Sequence, residues 1–248
     1  MNIFLWGVLP YITLLMVIGG TIWRYRYDKF GWTTRSSELY ESKLLRIGSP
    51  LFHYGILAVI AGHAIGLVIP ESWTAAIGIT ETTYHWIAAG GGIVAAIATL
   101  VGVGILIYRR RTVGPVFMAT TWNDKLMYVV LVAALLAGSY ITLIGLIDPH
   151  GEGVNYRETV APWFRSIFYF QPDIDAMAAA PLRFHIHVII GMAMFVLVPF
   201  TRLVHIFTAP LHYLFRPYIV YRSKDARPAP GNAPARRGWD PIGVKDRD

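Results

Sequence analysis

The chain contains no cysteine. That excludes disulfides, cysteine-ligated zinc, thiol nucleophiles and iron–sulfur clusters held by its own thiolates. Charge is scarce: Asp, Glu, Lys and Arg make up 15% of 248 residues, whereas a soluble domain carries about 25%. The long apolar runs hold essentially no carboxylate, which argues against an ion or proton transporter. Internal repeats and phosphate-binding or nucleotide motifs are also missing. The net charge of +7 would suggest nucleic acid in a soluble protein. Here the position of the basic residues gives it another meaning, and no nucleic-acid partner is expected.

What is present is apolar length. A helix crossing about 30 Å of hydrocarbon needs about 20 apolar residues, and hydrophobic residues form 55% of the chain. Five stretches qualify: Ile3 to Trp23, Leu51 to Ile69, His85 to Tyr108, Leu126 to Ile147 and Phe184 to Phe207. In lipid the backbone must satisfy its own hydrogen bonds, so each is expected to be helical. The first run has no basic residue before it and no A-x-A cleavage site, so it reads as a retained span. The expected fold is all-α, an integral membrane bundle of five transmembrane helices.

Nineteen of the 22 Lys and Arg residues lie in segments 24–50, 109–125 and from Arg202 onward. Only Arg157, Arg165 and Arg183 lie on the other side. Cytoplasmic loops carry the excess of Lys and Arg, so the N-terminus is expected outside and the C-terminus in the cytoplasm. Residues 1–221 form the expected bundle. Residues 222–248, rich in Pro, Arg and Gly, read as a cytoplasmic tail without fixed structure. The stretch APWFRSIFYF, in the outer segment between the fourth and fifth spans, is expected at the membrane interface.

The chemical signal is histidine. His53 and His63 lie in the second span, His85 opens the third, and His187 and His205 lie in the fifth, with His185 at its entrance. Ionisable residues inside membranes are costly and mostly functional, and neutral imidazole is an axial ligand of haem. For His85 alone the ordinary reading is a hydrogen bond to a neighbouring carbonyl. Four histidines on two spans point instead to cofactor ligation. On a continuous helix His187 and His205 are about five turns apart and share a face, whereas His185 points about 200° away from His205. His53 and His63 are about 80° apart.

Depth then pairs His63 with His187 toward the outside and His53 with His205 toward the cytoplasm: two bis-histidine haems stacked across the membrane. One mismatch stands out. The second-span pair is separated by about 15 Å of helix and the fifth-span pair by about 27 Å, with Pro199 between the latter as a candidate kink. Gly55, Gly62 and Gly191 near the ligands, and Gly90 to Gly92, either admit a planar ring or serve ordinary small-residue helix packing.

LFHYGILAVIAGHAIG and FHIHVIIGMAMFVLVPFTRLVHIF resemble the gamma subunit of membrane-bound respiratory nitrate reductase. So do WRYRYDKFGWTTRSS and RRRTVGPVFMATT. The resemblance runs from the first span to about Tyr221. It implies a diheme cytochrome b that oxidises quinol near the outer face of a bacterial or archaeal plasma membrane. Electrons would pass to a cytoplasmic iron–sulfur beta subunit and on to a molybdenum-containing alpha subunit that reduces nitrate. Carried over, the outer b-type haem takes His63 and His187 and the inner one His53 and His205, with Gly62 fitting the quinol site.

The family's lysine at the outer start of the third span is missing, because no Lys lies between Lys43 and Lys125. Thr83, Tyr84 or His85 would offer the hydrogen bond instead, and menaquinol is a candidate substrate. The alternatives are a cytochrome b of a heterodisulfide- or sulfite-reduction type complex, a haem-free proton-relay transporter, or a structural membrane anchor. The first and fourth spans read as scaffold.

Overall fold

The computed structural model describes residues 1–32, 36–147 and 155–208. The expected boundary at residues 221 and 222, and the tail beyond it, lie outside the described residues. Among the described residues the secondary structure is helical, without strands. Five segments are long and apolar enough to cross a membrane: Ile3–Tyr27, Lys43–Val68, Glu81–Thr112, Trp122–Ile147 and Leu182–Phe200.

The first span opens with a π-helical turn over Ile3–Val8 and continues as α1, Leu9–Tyr27. The second and third spans are α2, Lys43–Val68, and α4, Glu81–Thr112. The short α3, Glu71–Ala76, lies between them. Gly78 turns the chain from α3 toward α4 with φ +83°, a conformation glycine adopts without a Cβ penalty. Then α5, Gly114–Met118, precedes the fourth span α6, Trp122–Ile147. Thr121 and Asp124 start α6 with a reciprocal cap: each accepts the other's backbone N–H, at 3.2 and 2.9 Å. Helices α7, Val160–Ile167, and α8, Ile174–Ala178, lead into α9, Leu182–Leu197. The helices extend one or two turns beyond the apolar runs because their ends, such as Lys43 and Arg109 to Arg111, are polar residues that a helix tolerates at the membrane edge.

Helix α2 lies along α4, α4 and α9 lie along α6, and α1 lies along α9. Glycine sets the closest of these contacts. A Cβ on Gly55 would stand 2.7 Å from the Thr99 amide nitrogen, and one on Gly102 would stand 2.4 Å from that of Phe52. Gly55 therefore serves helix packing. Large apolar side chains such as Leu15, Ile18, Val94 and Ile97 remain exposed, as they must where the surrounding solvent is hydrocarbon. The APWFRSIFYF stretch divides. Its α7 part buries Trp163 and Ile167 against Trp6, Met177 and Met192, and Phe168, Tyr169 and Phe170 stay exposed.

The fifth span departs from the expected continuous helix from Phe184 to Phe207. The α-helix stops at Leu197, Val198–Phe200 form a 3₁₀ turn, and Thr201 is extended at φ −118°, ψ −175°. A second 3₁₀ segment follows, Arg202–Thr208. Pro199 explains the break, since it lacks an N–H and its ring clashes with the preceding turn. The five-turn spacing of His187 and His205 therefore does not describe their true relation.

Candidate functional site: two facing histidine pairs

His53 and His63 project from α2, His187 from α9 and His205 from the 3₁₀ segment Arg202–Thr208. They meet as two pairs. The ring centres of His63 and His187 are 5.9 Å apart, and those of His53 and His205 are 6.1 Å apart. The expected mismatch of helical rise does not keep the second pair apart, since His205 meets His53 from beyond the break after Leu197.

The ring chemistry suits ligation. His53 Nδ1 lies 2.7 Å from the Ser49 carbonyl, and His63 Nδ1 lies 2.8 Å from that of Val59. His205 Nδ1 bonds the Arg202 carbonyl. A carbonyl only accepts, so Nδ1 carries the proton and Nε2 keeps its lone pair, which is how a metal-binding imidazole is prepared. His187 Nδ1 is buried without a hydrogen-bond partner among the described residues. Its ring lies against α6 where Gly138 has no side chain: a Cβ there would be 3.0 Å from His187 Cε1.

The separation can be tested against an ion. A metal–imidazole bond is about 2 Å and a ring nitrogen lies about 1.2 Å from its ring centre, so one ion held from both sides sets the centres about 6.3 Å apart. Both pairs fit. Among the described residues no three His, Cys, Asp or Glu side chains converge. Two facing imidazoles fill two positions on an ion, and the remaining ligands must come from elsewhere, as the macrocycle of haem supplies them.

A cavity of about 300 Å³ opens beside the second pair, lined by His53, His205, Phe52, Arg109, Arg110 and Arg202 among others. Arg109 is buried, with bonds to Glu41 and to the side chain and carbonyl of Ser37. Arg110 donates to the hydroxyls of Tyr128 and Thr120, at 3.0 and 3.1 Å. Arg202 and Asp124 share two bonds of 2.7 and 2.8 Å. Glu41 lies outside the spans. Burial pushes its carboxyl up, but the Leu44 amide and the Arg109 guanidinium outweigh that and hold it below its ordinary value.

Toward the first pair, Gly62 and Gly191 have no protein atom within 4 Å of an added Cβ. Gly90 and Gly91 are equally open, whereas Gly92 faces Thr142. His85 is not brought into either histidine pair. Its Nε2 donates to the Gly145 carbonyl at 3.0 Å, so a neutral ring keeps Nδ1 as an acceptor. Its neighbour Tyr84 bonds Tyr156 hydroxyl to hydroxyl at 3.1 Å. The guanidinium of Arg157 lies 3.9 Å over the Tyr84 ring and pairs with Glu81 at 2.9 Å. Burial and the Tyr84 bond raise the Tyr156 phenol far above its ordinary value, so it stays neutral. His185 packs at a tilt against Trp6, ring centres 4.8 Å apart, and donates Nε2 to the Met177 carbonyl.

Sequence reasoning missed Gly138, Arg157, Asp124 and Arg24. Their only linear signal is a small or charged residue in or beside an apolar run.

The sequence model of a family described as nitrate reductase gamma subunit matches residues 2–224. The nitrate reductase-like protein NarX of Mycobacterium tuberculosis is 62% identical over 234 residues, which is 94% of this chain and 35% of that protein. This chain thus spans about a third of the length of the mycobacterial relatives it matches. The nitrate reductase gamma chain of Bacillus subtilis is 46% identical, over 89% of this chain and 97% of its own length. The respiratory nitrate reductase 2 gamma chain of Escherichia coli is 31% identical, over 90% and 98%.

Proposed function

Because this chain belongs to the nitrate reductase gamma subunit family, we propose that it is the diheme cytochrome b subunit of a respiratory nitrate reductase. It is a multi-pass membrane protein, placed by this reading in the plasma membrane. It oxidises quinol near the outer face and delivers electrons to an iron–sulfur subunit on the cytoplasmic side. Nitrate is reduced beyond that, in a molybdenum-containing subunit. The observation that carries the reading is the pair of facing imidazoles repeated at two levels of the bundle, 5.9 and 6.1 Å apart.

His63 and His187 hold the outer haem, and His53 and His205 the inner one. When bound, haem supplies one-electron chemistry, so a two-electron donor can be emptied in single steps. The carbonyls of Ser49, Val59 and Arg202 fix three of the four rings in the ligating tautomer. Arg24, Arg109, Arg110, Lys125 and Arg202 gather at the His53–His205 end, and basic excess marks the cytoplasmic side.

Quinol binds between the outer ends of α2 and α4, near the open face of Gly62. Losing two electrons, it must also lose two protons. His85 Nδ1 is the acceptor for a quinol hydroxyl, because Nε2 is committed to Gly145. The hydrogen-bonded Tyr84–Tyr156 pair stands at the same end and keeps a hydroxyl available. Together they take the place of the family's lysine.

The purified chain should show reduced b-type optical bands and two haems per polypeptide. His63→Ala or His187→Ala should remove one, and His53→Ala or His205→Ala the other. If all four single replacements left haem content intact, the reading would fail. A colourless wild-type protein would favour a haem-free transporter. Co-purification with subunits of a heterodisulfide- or sulfite-reduction complex would favour that alternative.

A further inference from the structure

The break in the fifth span creates a problem that its own backbone solves only in part, with the Val204 N–H reaching the Thr201 carbonyl at 3.4 Å. A helix end leaves carbonyls without intrahelical donors, and inside a membrane unpaired carbonyls are costly. The residues between α9 and His205 are supplied with donors from other spans. Arg24, near the end of α1, is 5% exposed. Its Nη1 donates to the carbonyls of Pro199 and Thr201 at 2.6 and 2.9 Å, and its Nη2 to that of Gly31 at 2.7 Å. Asp28 balances its charge from 3.3 Å.

The carbonyl between those two, Phe200, accepts Asn123 Nδ2 at 2.6 Å. Next comes Arg202, whose guanidinium is held by Asp124, itself 3% exposed and anchored in the α6 cap. The Arg202 carbonyl then holds His205 Nδ1. Gly20 lets α1 come close enough for this arrangement, since a Cβ there would stand 2.9 Å from the Pro199 ring.

Every backbone carbonyl from Pro199 to Arg202 thus has a side-chain donor, and three of these four bonds come from the first and fourth spans, two of them from Arg24. A helix fixes residues by its own ladder. This segment is fixed from outside, by residues that reach it from both flanks and end one bond from His205.

We propose that Arg24 and the Asn123–Asp124 pair are positioning residues that clamp the Pro199–Arg202 segment and thereby aim the His205 imidazole at His53. The clamp rests on the reading of His205 as an inner-haem ligand. It gives the first and fourth spans a role at the inner site that packing alone does not. The His63–His187 pair, carried by two uninterrupted helices, does not depend on it.

The test uses the full chain with its haems, in detergent, and resolves the two haems by redox titration and electron paramagnetic resonance. His205→Ala marks the inner signal. Arg24→Met should lower haem from two to one per chain and match the His205→Ala spectrum, with the other signal unchanged. Arg24→Lys can reach at most part of the carbonyl set. It should keep two haems and shift only the inner midpoint and g values, and Asn123→Ala should do so to a smaller extent. Wild-type inner signals in Arg24→Met, or equal loss of both haems, would overturn the clamp. If Arg24→Met does not accumulate, unchanged inner signals in both Arg24→Lys and Asn123→Ala would overturn it.

Wild-type protein without haem would sink the functional reading instead. Amide hydrogen exchange over residues 199–208 then reads the clamp directly. Faster exchange in Arg24→Lys than in wild type supports it, and equal exchange counts against it.

Discussion

His53 and His205 face each other at 6.1 Å, although one sits on an unbroken helix and the other beyond a proline break on a 3₁₀ segment. His63 and His187 reach almost the same separation, 5.9 Å, from two regular helices. One facing-imidazole geometry is therefore built in two ways, and the two pairs should respond differently to change.

The contact between α2 and α4 depends on missing side chains. Gly102→Ala places a Cβ against the Phe52 backbone and Gly55→Ala one against that of Thr99, so the helices must move apart. Overpacking of this kind costs about 1–3 kcal/mol. Both variants should melt at lower temperature in detergent. Gly62→Ala meets no protein atom and should melt like wild type, with any effect confined to the haem spectrum. Wild-type melting of Gly102→Ala would contradict the close approach.

Glu41 gives a pH-dependent tie between the segment before α2 and Arg109 at the end of α4. Its folded pKa lies below the ordinary 4.5, so the unfolded chain takes up the proton first as pH falls. The tie is complete above the ordinary value and is lost as pH drops through the lowered one. Thermal melts of wild type and Glu41→Gln should differ at pH 7 and converge in acid. A constant difference down to pH 3 would refute the linkage.

His85 and Tyr84 should separate substrate chemistry from haem binding. His85→Phe removes the Nδ1 acceptor and should slow quinol-driven reduction about 100-fold or more, the usual range for losing a positioned base. Dithionite should still reduce both haems. Tyr84→Phe should raise the quinol KM more than it lowers kcat. Unchanged quinol kinetics in both variants would move the substrate elsewhere.

The cluster at the other end of the bundle is held by a bond as well as by packing. Trp163 Nε1 donates to the Trp6 carbonyl at 2.8 Å, joining α7 to the π-helical opening of the first span. Trp163→Phe keeps most of the apolar area and loses that donor. It should cost about 1–3 kcal/mol, since a buried carbonyl is left unpaired. A melting temperature equal to wild type would show that the carbonyl finds another donor.

Apolar length made the five spans legible, because lipid admits few alternatives to a helix. The depth of each histidine along its span foreshadowed which rings meet. The face argument did worse. It treated the fifth span as one helix with Pro199 as a candidate kink, and a proline's local effect depends on what lies beside it. Here Gly20 and Arg24 make the break habitable, and neither announces that in sequence. Gly55 illustrates the same limit: a glycine beside a ligand reads equally as room for a ring or for a helix, and only the position of Thr99 decides. Short amphipathic helices such as α3 and α8 carry too few residues for periodicity to mark them.

The placement of Arg24, Asn123 and Asp124 has a further consequence for biogenesis. Chains emerge N-terminus first, so the first, second and fourth spans are inserted before residue 199 leaves the ribosome. His53 waits through most of synthesis for a partner that cannot be aimed until the earlier spans have assembled around its landing place. Closure of that site is therefore a late event, and a polypeptide that stalled or mis-inserted early would never present the second imidazole.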